Sequence, residues 1–171
     1  MNRDAPDLSL IVPCFQEAHR MPACVQGIRR ALSVWGKSAE VIIVDDGSTD
    51  DTVTVAKSAI QNLPNSRVIE KEHEGKGAAI KAGVLLSQGT QIFLADADWS
   101  MPPEQIVRFL PPTCNGDGLR IGSRELPSSQ RHNEPLLRHL VGRAFNQLVQ
   151  SALTPGLNDT QCGFKAINGK A

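Results

Sequence analysis

Ile92-Phe93-Leu94-Ala95-Asp96-Ala97-Asp98 is an apolar run of strand-forming residues that ends in two carboxylates one residue apart. The Pro102-Pro103 pair follows, and two prolines stop a strand and can open a helix. Because side chains alternate faces along a strand, Asp96 and Asp98 share one side if the extension persists to its end. Two carboxylates placed in this way would suit Mg²⁺ or Mn²⁺ shared with a phosphate-bearing ligand. Alternatively, the two residues merely terminate a strand and cap the next helix.

Apolar runs on either side of this stretch predict strands that alternate with helices. This order is typical of an α/β protein with a mostly parallel sheet and helices on both faces. We expect one domain, residues 1–171, and no packing element at its end, which suggests truncation at the C-terminus. The predicted strands are 8–12, 40–44, 67–69, 91–95 and 119–124, and the predicted helices are 18–35, 52–60, 78–86, 104–110 and 136–153.

Composition excludes several classes of protein. Lys plus Arg balance Asp plus Glu at 18 each, without a basic patch, so we expect no nucleic acid partner. No apolar stretch approaches the ~20 residues of a membrane-spanning helix, and the N-terminus lacks the apolar centre of a signal peptide. The four cysteines form no CxxC pair, which argues against a zinc site and fits a reducing compartment. We therefore expect a cytosolic location.

Polar residues collect just after the predicted strands. Ligands of open parallel sheets bind outside the carboxyl ends of the strands, so these residues should meet at one site. The chemistry suits a nucleoside diphosphate: Asp46 could accept a hydrogen bond from a base N–H, and Gly75-Lys76-Gly77 could approach a phosphate. Alternatively, Asp45-Asp46-Gly47-Ser48 is a turn that ends a strand, and a Gly-Lys-Gly loop on its own is usually just a turn. The residues are Pro13, Phe15, Gln16, Glu17, Asp45, Asp46, Gly47, Lys76, Asp96, Asp98, Ser123 and Arg124.

Two further features are interpreted as structural rather than functional. The helix predicted over 136–153 could lie in the core or against a membrane, and its long apolar face favours the core. The histidines show no metal-ligand spacing and are interpreted as surface residues; they are His19, His73, His132 and His139.

Successive motifs, taken together, resemble the signatures of family 2 glycosyltransferases of the GT-A type. The later motifs resemble a narrower branch, the polyprenyl-phosphate sugar synthases, especially those of the dolichyl-phosphate β-glucosyltransferase type, with the dolichyl-phosphate mannose synthases next. The resemblance covers about residues 8–167. The motifs are Val12-Pro13-Cys14-Phe15-Gln16-Glu17, Asp45-Asp46-Gly47-Ser48, Gly75-Lys76-Gly77-Ala78-Ala79, Asp96-Ala97-Asp98, Gly122-Ser123-Arg124, Gly142-Arg143-Ala144-Phe145-Asn146 and Asp159-Thr160-Gln161-Cys162-Gly163-Phe164-Lys165.

The resemblance implies a Rossmann-like GT-A sheet and a metal-dependent, inverting transfer of a hexose. The expected donor is a nucleoside diphosphate sugar, UDP-glucose in the first instance, and the expected acceptor is a polyprenyl phosphate at the cytosolic face of a membrane. Three alternatives stay open: another donor or acceptor, such as GDP-mannose or a glycan; a nucleotidyltransferase, whose usual Gly-rich loop is absent after the first strand; and a truncated, non-catalytic domain that binds a nucleotide sugar.

The resemblance also assigns roles to residues. Asp98 is implied to be the main metal ligand and, with Arg124 and Asp159, catalytic. Gln16 stands where the family usually has Asn, and Trp99 replaces a common Leu. Asp96 and Asp98 are implied to hold Mg²⁺ or Mn²⁺. Arg138, Arg143 and Gln161 are implied to contact the acceptor phosphate. The implied nucleotide-sugar site comprises Pro13, Phe15, Glu17, Val44, Asp46, Lys76, Asp96, Ala97, Asp98, Ser123 and Arg124.

Overall fold

Strands and helices alternate along the chain as the apolar pattern predicts. A computed structural model describes residues 5–114, 118–122 and 163–168. The predicted helix 136–153 lies outside these ranges. The strands are β1 (Leu8–Cys14), β2 (Ala39–Asp45), β3 (Ser66–Glu70), β4 (Gln91–Leu94), β5 (Leu119–Ile121) and β6 (Lys165–Asn168); the helices are α1 (Met21–Trp35), α2 (Thr52–Ile60) and α3 (Lys76–Leu86), with a 3₁₀ helix at Pro103–Arg108.

The six strands form one sheet in the order β3-β2-β1-β4-β6-β5. β1 pairs in parallel with both β2 and β4, and β2 pairs in parallel with β3. β6 runs antiparallel to β4. The prediction of a mostly parallel α/β sheet is therefore confirmed. Because β1 lies in the centre, the segments that follow β1, β2 and β4 emerge beside one another.

Contacts divide the chain into two compact units, residues 1–120 with 164–171 and residues 121–163. Nearly all the described residues belong to the first unit. The expectations of a single domain and of a C-terminal truncation stay predictions.

Both faces of the central strands are buried. Every residue of β1 is buried, which requires packing on each side of the sheet. On one face, Ile11, Ile42 and Ile92 form a cluster with Ala79 of α3. On the opposite face, Phe93 meets the ring of Phe164 edge to face at 5.1 Å between centroids. This core holds the carboxyl ends of the strands in fixed register.

Among the differences between predicted and observed elements, two have a clear physical reason. β1 continues through Pro13 to Cys14, although proline normally ends a strand. Its pairing with β4 stops at Ile11, so no ladder bond to β4 requires an N–H at Pro13. The helix predicted over 104–110 is a 3₁₀ helix, with Gln105 N–H donating to Pro102 O and Phe109 N–H donating to Ile106 O. A short segment between prolines suits this tighter form.

The expectation that no packing element follows the last polar motif is wrong. Residues 165–168 form β6, and Phe164 beside it is 1% exposed. The ring of Phe164 contacts Phe93, Phe109 and Trp99 edge to face. A strand of four residues with mixed polarity carries little signal of its own, so its state depends on pairing with β4.

At the amino-terminal edge of the sheet, the carboxylate of Glu40 ties four segments together. Its Oε1 accepts hydrogen bonds from Ser9 Oγ at 2.5 Å and from Gln88 N at 2.6 Å. Its Oε2 lies 2.9 Å from a guanidinium nitrogen of Arg67. The side chain of Glu40 is only 4% exposed. This edge is far along the strands from the carboxyl ends, so its role is structural.

Glu40→Ala should lower the free energy of unfolding by about 3 kcal/mol, because it removes a buried carboxylate that accepts from the Ser9 hydroxyl and pairs with Arg67, and it leaves the buried Ser9 hydroxyl without this acceptor. Urea unfolding measures the change. The matched control is Glu70→Ala, which removes a carboxylate that is 54% exposed and paired with Lys57. An exposed pair contributes less than about 1 kcal/mol, so equal losses in the two variants would contradict the argument.

Candidate functional site

A cleft of about 310 Å³ opens at the carboxyl ends of β1, β2 and β4. This is the edge at which sequence reasoning placed the site, because open parallel sheets bind ligands there. The cleft brings together residues from separate parts of the chain. Its lining comprises Pro13, Cys14, Phe15, Glu17, Asp46, His73, Lys76, Ala79, Asp96, Ala97 and Asp98.

Asp46 follows β2 and has a side chain that is 3% exposed. Its Oδ1 accepts hydrogen bonds from the backbone N–H of Glu74 and from Lys71 Nζ, each at 3.2 Å. Its Oδ2 accepts from the backbone N–H of Gly75 at 2.8 Å and lies 2.8 Å from His73 Nδ1. A carboxylate has about four acceptor positions, and hydrogen bonds from the loop 71–75 occupy three of them. Asp46 thus fixes this loop at the cleft wall.

The same contacts set the charge of Asp46. Burial by itself raises the pKa of a carboxyl group. Here the backbone N–H groups of Glu74 and Gly75 and the ammonium of Lys71 outweigh burial, and the pKa of Asp46 lies below its usual range. Asp46 is therefore an anion at neutral pH and can hold its donors.

An aromatic wall stands beside Asp46. The rings of Phe15 and His73 are stacked, with centroids 4.3 Å apart and planes 20° from parallel. Phe15 is 42% exposed, which is unusual for a phenylalanine held in a fixed contact. His73 is exposed, as the sequence suggested, but its place on the cleft wall was missed. Its position just after β3 was the signal that could have found it.

Lys76 and Asp96 form an ion pair across the cleft. Lys76 Nζ lies 2.6 Å from Asp96 Oδ1, and the side chains are 59% and 27% exposed. Lys76 is the first residue of α3 and follows Gly75, whose φ of +96° suits glycine alone. The loop therefore ends where a cation can reach the Asp96 carboxylate and any phosphate placed beside it.

Asp96 and Asp98 lie in a turn rather than on a strand. β4 ends at Leu94, so the extension that would put both side chains on one face does not persist. The N–H of Trp99 donates to Asp96 O at 3.1 Å, and the N–H of Ser100 donates to Asp98 Oδ1 at 3.0 Å. Both carboxylates still line the cleft, with Asp98 exposed. The turn therefore brings both carboxylates to the cleft, although they do not lie on one face of a strand.

The donor set fits a hard divalent cation. Within the described residues, no three His, Cys, Asp or Glu side chains are close enough to form a metal-binding group. Asp96 and Asp98 are two carboxylates at one cleft, and Mg²⁺ sites of this kind combine one or two carboxylates with phosphate oxygens of the substrate and water. The pair can therefore hold such an ion together with a diphosphate.

One cleft prediction needs correction. Val44 was expected to line the nucleoside pocket, but it is 0% exposed and belongs to the core cluster with Ile11 and Ala79. Its side chain lies on the face of the sheet that α3 covers, as its position in β2 dictates. Cys14, for which the sequence predicted no role, also lines the cleft. Burial, with Asp45 nearby, raises the pKa of its thiol to about 12, which rules out a thiolate nucleophile at neutral pH.

Some predicted site residues lie outside the described residues, and their roles stay predictions. These are Ser123, Arg124, Arg138, Arg143, Asp159 and Gln161.

Comparison with known proteins bears on the whole chain. The family model described as "Glycosyl transferase family 2" matches residues 9–171. The chain belongs to this family. The motifs at Pro13–Glu17, Asp45–Ser48 and Asp96–Asp98 thus lie in a domain of family 2 glycosyltransferases, and the cleft that they line is its candidate active site.

Curated relatives carry related names. A dolichyl-phosphate beta-glucosyltransferase of Dictyostelium discoideum is 34% identical, covering 92% of this chain and 53% of the relative. The Homo sapiens enzyme of that name is 32% identical, covering 98% and 57%. An undecaprenyl-phosphate 4-deoxy-4-formamido-L-arabinose transferase of Yersinia pestis is 28% identical, covering 97% and 50%. This family 2 chain spans about half the length of the curated relatives it matches.

Solved structures share the fold. A mannosyl-3-phosphoglycerate synthase from Rubrobacter xylanophilus superposes with a TM-score of 0.69 at 18% identity, over 96% of this chain and 54% of that one. A glucosyl-3-phosphoglycerate synthase from Mycobacterium tuberculosis, solved with Mn²⁺, UDP-glucose and glycerol 3-phosphate, gives 0.64 at 20% identity, over 96% and 57%. At such identities the likeness concerns the fold, and the predicted GT-A architecture is confirmed.

The described helices also bear on membrane contact. None of them has the length and apolar character needed to cross a bilayer.

Proposed function

We propose that this family 2 chain binds a nucleoside diphosphate sugar in the cleft and transfers its hexose to a polyprenyl phosphate. UDP-glucose is the donor we favour, and a membrane surface that carries the lipid acceptor is its expected working place. The observation that carries the proposal is the composition of the cleft. It combines an aromatic wall and a buried carboxylate with a lysine and two carboxylates in a turn.

The wall of Phe15 and His73 supports binding of the nucleoside. An exposed aromatic ring offers a face on which a base can stack, and such stacking does not depend on a buried apolar pocket. Asp46 holds the loop that carries His73 and lies at the back of the same cleft. A base N–H could reach Asp46 by replacing one of the loop donors, and this contact stays a prediction.

Lys76, Asp96 and Asp98 support binding of the diphosphate. The ammonium of Lys76 already pairs with one carboxylate and can turn to a phosphate when a metal takes its place. A bound Mg²⁺ or Mn²⁺ would supply charge stabilisation for the departing diphosphate. Asp96 and Asp98 are the described residues that would hold this ion.

The proposed reaction makes modest demands on the protein. A phosphate oxygen of the acceptor forms a bond to the anomeric carbon, while the bond from that carbon to the donor diphosphate breaks and the nucleoside diphosphate leaves with the electron pair. Inversion at this carbon follows from a single displacement. The acceptor is already an anion near neutral pH, so no side chain has to remove a proton. The chain's task is to orient the donor and stabilise negative charge.

The test is calorimetric titration of the chain with UDP and with GDP, each with and without Mn²⁺. We expect UDP to bind at least about tenfold more tightly with Mn²⁺ present, because the ion links the diphosphate to the carboxylates. A preference for GDP would shift the donor to a guanosine diphosphate sugar. Failure of both nucleotides to bind would contradict the proposed site.

Acceptor choice needs a second assay. Transfer of labelled glucose from UDP-glucose to a short-chain polyprenyl phosphate should exceed transfer to soluble sugars. The unphosphorylated polyprenol is the matched control, since it keeps the lipid tail but lacks the attacking anion. Equal transfer to the polyprenol, or transfer to soluble glycans alone, would contradict the proposed acceptor.

A further inference from the structure

We infer that Trp99 is a positioning residue that locks the Asp96–Asp98 turn onto α1, so that the packing of α1 sets the place of the Asp98 carboxylate. The inference rests on the proposed function, because it concerns the metal and diphosphate end of the same cleft. In our proposal Trp99 contacts neither the metal nor the diphosphate, and it acts through Asp98, its neighbour in the chain.

The backbone at Trp99 gives the first observation. Its φ is +46°, a left-handed conformation that a bulky residue rarely adopts. Such conformations cost free energy and persist where the surroundings enforce them, often beside functional sites. The N–H of Trp99 donates to Asp96 O, so this conformation closes the turn that holds both carboxylates. Something other than local preference must therefore hold Trp99.

Contacts of the indole ring hold Trp99 in this conformation. Its Nε1–H donates to the backbone oxygen of Cys24 in α1 at 2.9 Å. That oxygen belongs to a helix residue that is 1% exposed, so the acceptor does not move readily. The ring of Phe164 meets the indole edge to face, with centroids 5.6 Å apart and planes at 88°. The ring is thus fixed from the helix and from the segment before β6.

Gly27 lets the indole of Trp99 approach α1 closely. A Cβ added to Gly27 would lie 2.4 Å from Trp99 Nε1 and 2.5 to 2.7 Å from two further indole atoms. Such distances are too short for any real contact, so a methyl group would push the ring away. Glycine in a helix costs about 1 kcal/mol relative to alanine, which makes its presence here consistent with a need for close approach.

The two anchors act on Asp98 through one peptide bond. Asp98 is exposed and its carboxylate accepts from the Ser100 N–H, on the other side of Trp99. With the indole fixed, the residues on both sides of it are fixed as well. If the indole is released, the turn can relax from its left-handed conformation and the carboxylate moves from the cleft.

The experiment measures UDP affinity by calorimetry, with and without Mn²⁺, together with the melting temperature. Trp99→Leu should lose about tenfold of the Mn²⁺-dependent gain in UDP affinity, the lower range for residues that support metal ligands. Metal-free UDP affinity should stay within about twofold of wild type, since it depends on other parts of the cleft. Trp99→Phe, which keeps a ring over Gly27 but loses the N–H donor, should recover part of the gain.

Gly27→Ala disrupts the same contact, between the Trp99 indole and α1, from the side of the helix. It should also lower the Mn²⁺-dependent gain, although alanine favours helix formation. The double variant Gly27→Ala/Trp99→Leu should be no worse than Trp99→Leu alone, since the added methyl group no longer meets an indole. The matched control is Trp35→Leu, which changes the other tryptophan of the chain, near the end of α1, where its Nε1–H donates to Ser38 O.

The outcomes are distinguishable. If wild type shows the Mn²⁺-dependent gain and Trp99→Leu keeps it, the positioning role is overturned while the proposed function stands. If Trp99→Leu loses metal-dependent and metal-free affinity in the same proportion, along with melting temperature, Trp99 is merely structural and the inference is again overturned. If wild type shows no gain, the proposed function fails, and the inference fails with it.

Discussion

Asp98→Ala should reduce Mn²⁺-dependent binding of UDP by about 100-fold or more, because even residues that only support a metal ligand cost 10- to 100-fold when changed. Asp98 is the exposed carboxylate of the turn, whereas Asp96 is partly screened by its ion pair with Lys76. Loss of Asp98 leaves a single carboxylate to hold the ion. Metal-free UDP affinity should change little, and calorimetry with and without Mn²⁺ separates the two effects.

Asp51→Ala is the matched control for this variant. Asp51 is an exposed acid before α2 whose side chain makes no capping hydrogen bond. Its loss removes the same charge from the chain without touching the cleft. If both variants lower the Mn²⁺-dependent affinity alike, the effect comes from net charge. If neither does, the assignment of Asp98 as the main metal ligand is wrong.

Asp46→Asn should lower metal-free UDP affinity by about tenfold or more, although it changes one atom. Both carboxylate oxygens face donors: Oδ1 meets Glu74 N–H and Lys71, and Oδ2 meets Gly75 N–H. An amide nitrogen at either position would point a donor at donors. The loop 71–75 would be released, and His73 would leave its stack on Phe15.

The lowered pKa of Asp46 adds a pH dependence to this prediction. Its pKa is lower in the folded chain than in the unfolded one, so the unfolded chain binds more protons in acid. The stability that Asp46 contributes is fully present above the ordinary value of about 3.9 and is lost as pH falls through the lowered pKa. Asp46→Asn should therefore show a weaker decline in melting temperature below about pH 4.

Asp51→Asn is the control for the binding measurement. It should leave metal-free UDP affinity unchanged, since the exposed Asp51 side chain makes no capping hydrogen bond and does not line the cleft. An Asp46→Asn variant that binds UDP like wild type would show that the loop contacts are not needed for the nucleoside site.

The sequence located much of this cleft because strand ends converge in a parallel sheet. Phe15, Asp46 and Asp98 are far apart in the chain, yet each follows a buried strand, and the topology brings such positions together. That inference needs no side-chain detail. It required only that apolar runs be recognised as parallel strands.

Details that depend on tertiary contacts escaped the sequence. The place of His73 just after β3 pointed to the cleft, but its stack on Phe15 depends on the contacts between Asp46 and its loop, and no local pattern encodes a hydrogen bond across 27 residues. Val44 follows the opposite logic: it is next to the polar motif in sequence, but its side chain points into the core. The Trp99 turn depends on Gly27 in a distant helix. Such features need the packed structure, since propensity alone leaves them open.

The insertion of β6 between β4 and β5 has a consequence for the order in which the chain can fold. β4 pairs with β6, yet residues 95–164 separate them in the chain. Closing so long a segment costs conformational entropy before the pairing can repay it, and such non-local contacts slow folding. β1, β2 and β3 can meet much earlier, through shorter connections. During synthesis, β5 must therefore leave the ribosome before β6 and wait for residues 165–168 before the hydrogen bonds between these two strands can form.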